Sequence, residues 1–136
     1  MTIAGRLHHV AYVVPDIDRA LPGFTTRYGM QEVVRETMQE QGVEAVMLRA
    51  GPAHVELIRP LDADGAIARF LEKRGEGLHH VAYAVDDIAA ALATLAAEGA
   101  ELIDTAPRRG LGGHMVAFVH PRSGTGALTE LVEEHG

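Results

Sequence analysis

Residues 8–14 alternate strictly, with His9, Ala11 and Val13 on one face and His8, Val10, Tyr12 and Val14 on the other. A period of two marks a strand. Pro15-Asp16 ends it. From Asp16 the apolar positions Ile17, Ala20, Leu21 and Phe24 recur at helical spacing, predicting one helix to about Met30, capped by Asp16 and closed near Gly29. Three extended pieces follow, at about 31–37, 43–49 and 54–59, with turns at Gln41-Gly42 and Gly51-Pro52. Residues 65–74 then read as a short connecting helix, closed by Gly75 and Gly77. The same order returns: strand 79–85, a helix from Asp87 to Glu98 stopped by Gly99, strand 101–104, a glycine-rich loop at 110–113, and strands 114–120 and 127–133.

The repetition is literal as well as architectural. Leu7-His8-His9-Val10-Ala11-Tyr12 recurs 71 positions later as Leu78-His79-His80-Val81-Ala82-Tyr83, and residues 7–21 match 78–92 at 11 of 15 positions. An internal duplication of this kind predicts an α+β fold of two paired βαβββ modules. The modules span about 6–60 and 77–134, joined by a linker helix at about 61–76 within one domain, 1–136. Each module buries one sheet face under its helix. The other faces, four strands from each, are expected to curl into an eight-stranded sheet that encloses a cleft.

Strand parity selects the side chains that meet there. Val10, Val14, Val81 and Val85 suit the helix-facing core, which turns His9 and His80 to the concave face. The last strand of each module carries a matching carboxylate, Glu56 in Val55-Glu56-Leu57-Ile58 and Glu130 in Thr129-Glu130-Leu131-Val132. A carboxylate among large apolar neighbours is costly unless something offsets its charge. A lone histidine on a strand, or a lone Glu in an apolar run, is ordinarily structural; recurrence of both at equivalent places in both halves favours a divalent-metal site. Nitrogen and oxygen donors without sulfur suit cobalt, manganese, nickel or zinc. His8 and His79 also recur, but their parity groups them with the valines and gives them a structural or supporting role.

Composition narrows the classes. The chain has no cysteine, which excludes disulfides, thiolate metal sites and a cysteine nucleophile. A formal charge of −7 and an aromatic content of 4% argue against a nucleic-acid surface. No apolar stretch approaches the ~18 residues of a membrane-spanning helix, and no basic-apolar leader opens the chain, so a cytoplasmic protein is expected. Two half-sheets with exposed edges predict a homodimer.

These residues resemble the vicinal oxygen chelate superfamily, which includes glyoxalase I, extradiol dioxygenases, fosfomycin-resistance proteins and methylmalonyl-CoA epimerase. Within it the chain is most similar to the epimerases, through Glu40-Gln41-Gly42-Val43, the segment from Phe70 to Val81 with its Gly75-Glu76-Gly77-Leu78-His79-His80 core, the Gly112-Gly113 loop, and Phe118-Val119-His120-Pro121 followed by Gly126-Ala127-Leu128-Thr129-Glu130-Leu131-Val132. The resemblance implies an acyl-CoA thioester substrate, a divalent metal ion (cobalt foremost) on His9, Glu56, His80 and Glu130, and 1,1-proton transfer interconverting (2R)- and (2S)-methylmalonyl-CoA through a metal-stabilised enolate. The alternatives are a glyoxalase I-like lyase with the same ligands and a small-molecule binding module; a dioxygenase fits less well, because its iron site uses two His and one carboxylate.

The chain departs from the epimerases at two places: Thr25, where they often carry an aromatic in the first helix and which reads as a packing change, and the position of their base. Their acid/base Glu stands two positions after the Val of Gln-Gly-Val, where this chain has Ala45. Glu44 lies one position early and serves as the base only if a bulge reverses its face; Glu130 is then expected to act as both ligand and base. Arg108 and Arg109, before the glycine-rich loop, are either contacts for a coenzyme A phosphate or ordinary surface charges.

Overall fold

The structure, a computed structural model, describes residues 3–134. Its first half comprises β1 (Arg6–Val13), α1 (Ile17–Ala20), α2 (Pro22–Tyr28), β2 (Gln31–Met38), β3 (Val43–Ala50) and β4 (Ala53–Pro60). After α3 (Ala66–Arg74), the second half comprises β5 (Gly77–Ala84), α4 (Ile88–Ala97), β6 (Arg108–Arg109), β7 (Met115–Val119) and β8 (Thr129–Glu133). This is the expected α+β fold of two βαβββ halves, with strands hydrogen-bonded in the order β2-β3-β4-β1-β5-β8-β7-β6. The order is a mirrored repeat: each half places its fourth strand beside its first.

Contacts divide the chain into two compact units whose borders fall inside the duplicated segments, between His9 and Val10 and between His79 and His80. Unit 2, Val10–His79, is continuous in sequence. Its core is Val14, Ile17, Val46, Leu48, Val55 and Leu57, onto which Val10, Tyr12 and Phe24 pack. Val10 and Val14 are the helix-side positions that alternation assigned in this half. The Asp16 carboxylate accepts from the Arg19 N–H at 3.2 Å, capping α1 as expected. Pro22, however, interrupts the helix expected through Met30. It has no N–H to continue the ladder and instead opens a second helix, α2, which ends at Gly29 in the left-handed conformation (φ 72°).

Unit 1 joins the residues up to 9 with those from 80 onward. Ile88, Ala91 and Leu92 of α4 pack on Ala117, Val119 and Leu131, while Ala82, Val116 and Val132 cluster on the other face of the strands. Asp87 caps α4 by accepting from the Ala90 N–H at 3.0 Å.

The strand expected at 101–104 is absent. Only Leu102 bridges to Val119, and the regular strand in this position is the two-residue β6. The cause is local: the Asp104 side chain accepts the Phe118 N–H at 2.8 Å, occupying a ladder position that a neighbouring carbonyl would otherwise fill.

One turn fixes the approach to β8. A Cβ on Gly124 would stand 2.4 Å from the Ala127 carbonyl oxygen and 2.7 Å from Thr129 Oγ1, whereas one on Gly23 in the first turn of α2 meets nothing within 4 Å. Gly124→Ala should therefore destabilise the chain by about 1–3 kcal/mol, the range of overpacked sites, and Gly23→Ala should not. Urea denaturation midpoints measure both; equal midpoints would mean that the 124–127 turn yields freely.

Candidate metal centre

The centre is built from three strands of unit 1. Alternation turns His9 of β1 and His80 of β5 to the face opposite the helix-side valines, and both are almost fully enclosed at 3% exposure. Glu130 of β8 points to the same face as Val132 and is 7% exposed. His9 Nε2 lies 3.1 Å from Glu130 Oε1, His80 Nε2 lies 3.6 Å from the same oxygen, and the two Nε2 atoms are 3.2 Å apart. Donors bound to one ion at about 2.0–2.2 Å are separated by about 3.0–3.6 Å. The triangle thus has the size of one face of a coordination shell, and its donor types suit a borderline divalent ion.

Electrostatics agree with that reading. Burial alone would push the Glu130 carboxyl up, but hydrogen bonds from His80 and then His9 override it and hold its pKa down to about 2. Glu130 is therefore an ionised, buried carboxylate facing two imidazoles, the charge state a ligand requires.

Neighbouring side chains fix these groups. The Phe118 ring, register partner of Glu130, packs edge-on against His80 with centroids 5.2 Å apart. The Arg108 guanidinium covers that same ring at 5.5 Å and pairs with Asp104 at 3.5 Å. Arg108 is thus anchored beside the centre rather than being a loose surface charge. His8, grouped by parity with the valines, is 2% exposed and places Nδ1 at 2.7 Å from His9 Nδ1, which gives it the supporting role. His79 lies edge-on to Phe70, centroids 4.9 Å apart.

The two remaining candidates belong to unit 2. Glu56 is 8% exposed on β4, between Val55 and Leu57, which point into the helix-side core. Its register partner is Met47, so Glu56 occupies the opposite face, as expected. Glu44 is placed differently. It shares its β3 face with Val46 and Leu48, and the β3–β4 register runs unshifted from Val43↔Pro60 to Ala50↔Ala53. The one irregularity against β2 lies at Glu32/Val34, far from Glu44. No bulge therefore reverses its face, and Ala45 holds the face that Glu56 also occupies.

Glu44 instead closes a charge network that the sequence reading missed. It accepts from Arg35 Nε at 2.9 Å and from Arg59 Nε at 2.7 Å, while Arg35 Nη1 reaches Asp18 at 2.8 Å. Hydrogen bonds from Arg35 and then Arg59 hold the Glu44 carboxyl below its ordinary value. Cross-strand register was the available signal, since Glu44 stands directly opposite Arg59.

Comparisons with known proteins accord with this geometry. Residues 8–118 match the model of the Glyoxalase/Bleomycin resistance protein/Dioxygenase superfamily. The Bacillus subtilis protein YqjC is 38% identical over 96% of this chain and 94% of its own length. An ethylmalonyl-CoA/methylmalonyl-CoA epimerase of Cereibacter sphaeroides is 36% identical over 93% of this chain and 96% of its own. A variant of Streptomyces coelicolor methylmalonyl-CoA epimerase, solved in complex with 2-nitronate-propionyl-CoA, superposes with a TM-score of 0.93 at 31% identity, covering 99% of this chain and all of that one. The chain therefore belongs to the Glyoxalase/Bleomycin resistance protein/Dioxygenase superfamily and, within it, groups with proteins named methylmalonyl-CoA epimerase.

Proposed function

We propose that the chain is a metal-dependent epimerase that interconverts (2R)- and (2S)-methylmalonyl-CoA by 1,1-proton transfer. The observation that carries this reading is the His9–His80–Glu130 triangle, a ligand-sized set of donors in a chain alike over nearly its whole length to epimerases of acyl-CoA thioesters. His9, His80 and Glu130 would hold the ion. Glu56, buried and turned to the face away from the helices, is the proposed fourth ligand. When bound, a divalent ion such as cobalt supplies a Lewis acid that lowers the cost of negative charge on an oxygen beside it.

The chain's own residues supply orientation and proton traffic. Of the two carboxylates expected to move a proton, we favour Glu130, which faces His9 and His80 within the candidate centre. Glu44 is held by two guanidiniums on the other face of β3. Arg108, fixed over Phe118, is the proposed contact for an anionic group of coenzyme A. Among the described residues no helix is long and apolar enough to cross a membrane. A cytoplasmic homodimer remains part of the proposal.

Solvent deuterium incorporation at C2 of methylmalonyl-CoA tests the reaction. Cobalt-loaded wild type should exchange this proton, and His80→Ala should lose exchange together with the ion of the His9–His80–Glu130 site. No exchange by the loaded wild type would overturn the epimerase reading and favour a glyoxalase-type lyase.

Replacing Glu44 separates the two carboxylates. Glu44→Gln should leave exchange essentially unchanged, whereas a fall of roughly 10²–10⁴-fold, the usual contribution of a positioned acid or base, would return Glu44 to that role. Its effect should appear in stability instead. The arginines hold the Glu44 pKa below 4.5, so its pairing stabilises the fold above about pH 4.5 and that contribution is lost as the pH falls through the lowered value. Denaturation midpoints of wild type and Glu44→Gln should differ at neutral pH and converge on acidification; a constant difference would refute the assignment.

A further inference from the structure

Unit 1 carries a second group of metal-binding side chains that the reaction does not use. His8, His114 and Glu134 each offer a ligand atom, all within 4.8 Å of one another. His8 is 2% exposed and directs Nε2 to 3.6 Å from Glu134 Oε2. The His8 and His114 rings lie edge to face, centroids 5.9 Å apart. His114 follows the glycine turn at 111–113, and its carbonyl accepts the Gly110 N–H at 2.8 Å, which fixes the backbone from which its ring projects.

We propose that His8, His114 and Glu134 form a second site for a divalent transition ion such as zinc or cobalt, and that filling it opposes filling of the first. Two imidazoles and one carboxylate form a ligand set for such ions that leaves a position open. His8 is the fixed member. His114 is half-buried and Glu134 exposed, so both have freedom to close the short distance to a common ion. Arg6, exposed and ion-paired with Glu134, would swing aside.

The opposition follows from the proton between the two histidines, and this part rests on the reading of His9 as a ligand. A neutral imidazole carries one N–H. With His9 bound to an ion through Nε2, its proton sits on Nδ1 and donates to His8 Nδ1 across 2.7 Å. His8 then carries its own proton on Nε2, the atom the second site needs. If both rings ligate through Nε2, two Nδ1–H donors face each other across that contact, so one ring must turn or the contact must break.

Calorimetric titration of the metal-stripped full chain with zinc, and separately with cobalt, tests the proposal. Wild type should take up two ions per chain, the second more weakly. His114→Ala and Glu134→Gln, both away from the buried triangle, should each take up one. His80→Ala should keep the second site and bind it roughly 5–150-fold more tightly than wild type with its first site filled, the usual range of coupling between sites. A single ion in wild type, or two in both His114→Ala and Glu134→Gln, would overturn the second site; equal affinity in His80→Ala and wild type would overturn the opposition. Two ions in His80→Ala, with one in His114→Ala, would support the second site and place the failure in the first.

Discussion

A buried carboxylate facing two buried imidazoles is the constraint around which this chain is arranged. The imidazoles of His80 and His9 beside Glu130 hold its buried carboxyl in the charged form, and those partners must be delivered within about an ångström by strands that are remote in sequence. The period of two along β1, β5 and β8 achieves this. With valines and leucines committed to the helix side, the polar residues are turned together to the other face, away from the helices. Core packing and site geometry are thus one requirement: slipping any of these strands by one residue would both expose the core and scatter the donors.

The same rule separates Glu44 from Glu56. Both lie in unit 2 on neighbouring strands, yet an odd offset puts them on opposite faces. Glu44 satisfies its charge with Arg35 and Arg59, and Glu56 is buried on the other face of the sheet. One position in a strand decides whether a carboxylate joins a charge network with arginines or is turned to the opposite, buried face.

Much of this was legible in the sequence because it rests on periodicity and duplication. The Leu-His-His-Val-Ala-Tyr repeat located β1 and β5, and alternation gave the facing of His9, His80, Glu56 and Glu130. Two features escaped because a single residue overrode a good pattern. Pro22 divides a run whose apolar spacing favours one helix. Asp104 puts a side chain where a strand would put a carbonyl. The Asp18–Arg35–Glu44–Arg59 network escaped for another reason: it depends on register across β2, β3 and β4, and register is set by pairing rather than by composition.

The division of contacts carries a consequence for synthesis. Unit 2 is continuous, so everything it needs has left the ribosome once His79 has emerged. Unit 1 is not. The first half of β1 must wait for β5, β7 and β8, and closing that loop costs conformational entropy that the later contacts must repay. Vectorial folding therefore has a natural order, unit 2 first and unit 1 after it, with Leu7, His8 and His9 waiting for the later strands of their own unit. The donor triangle is then completed last, when β8 arrives with Glu130, so its assembly reports that both units have folded.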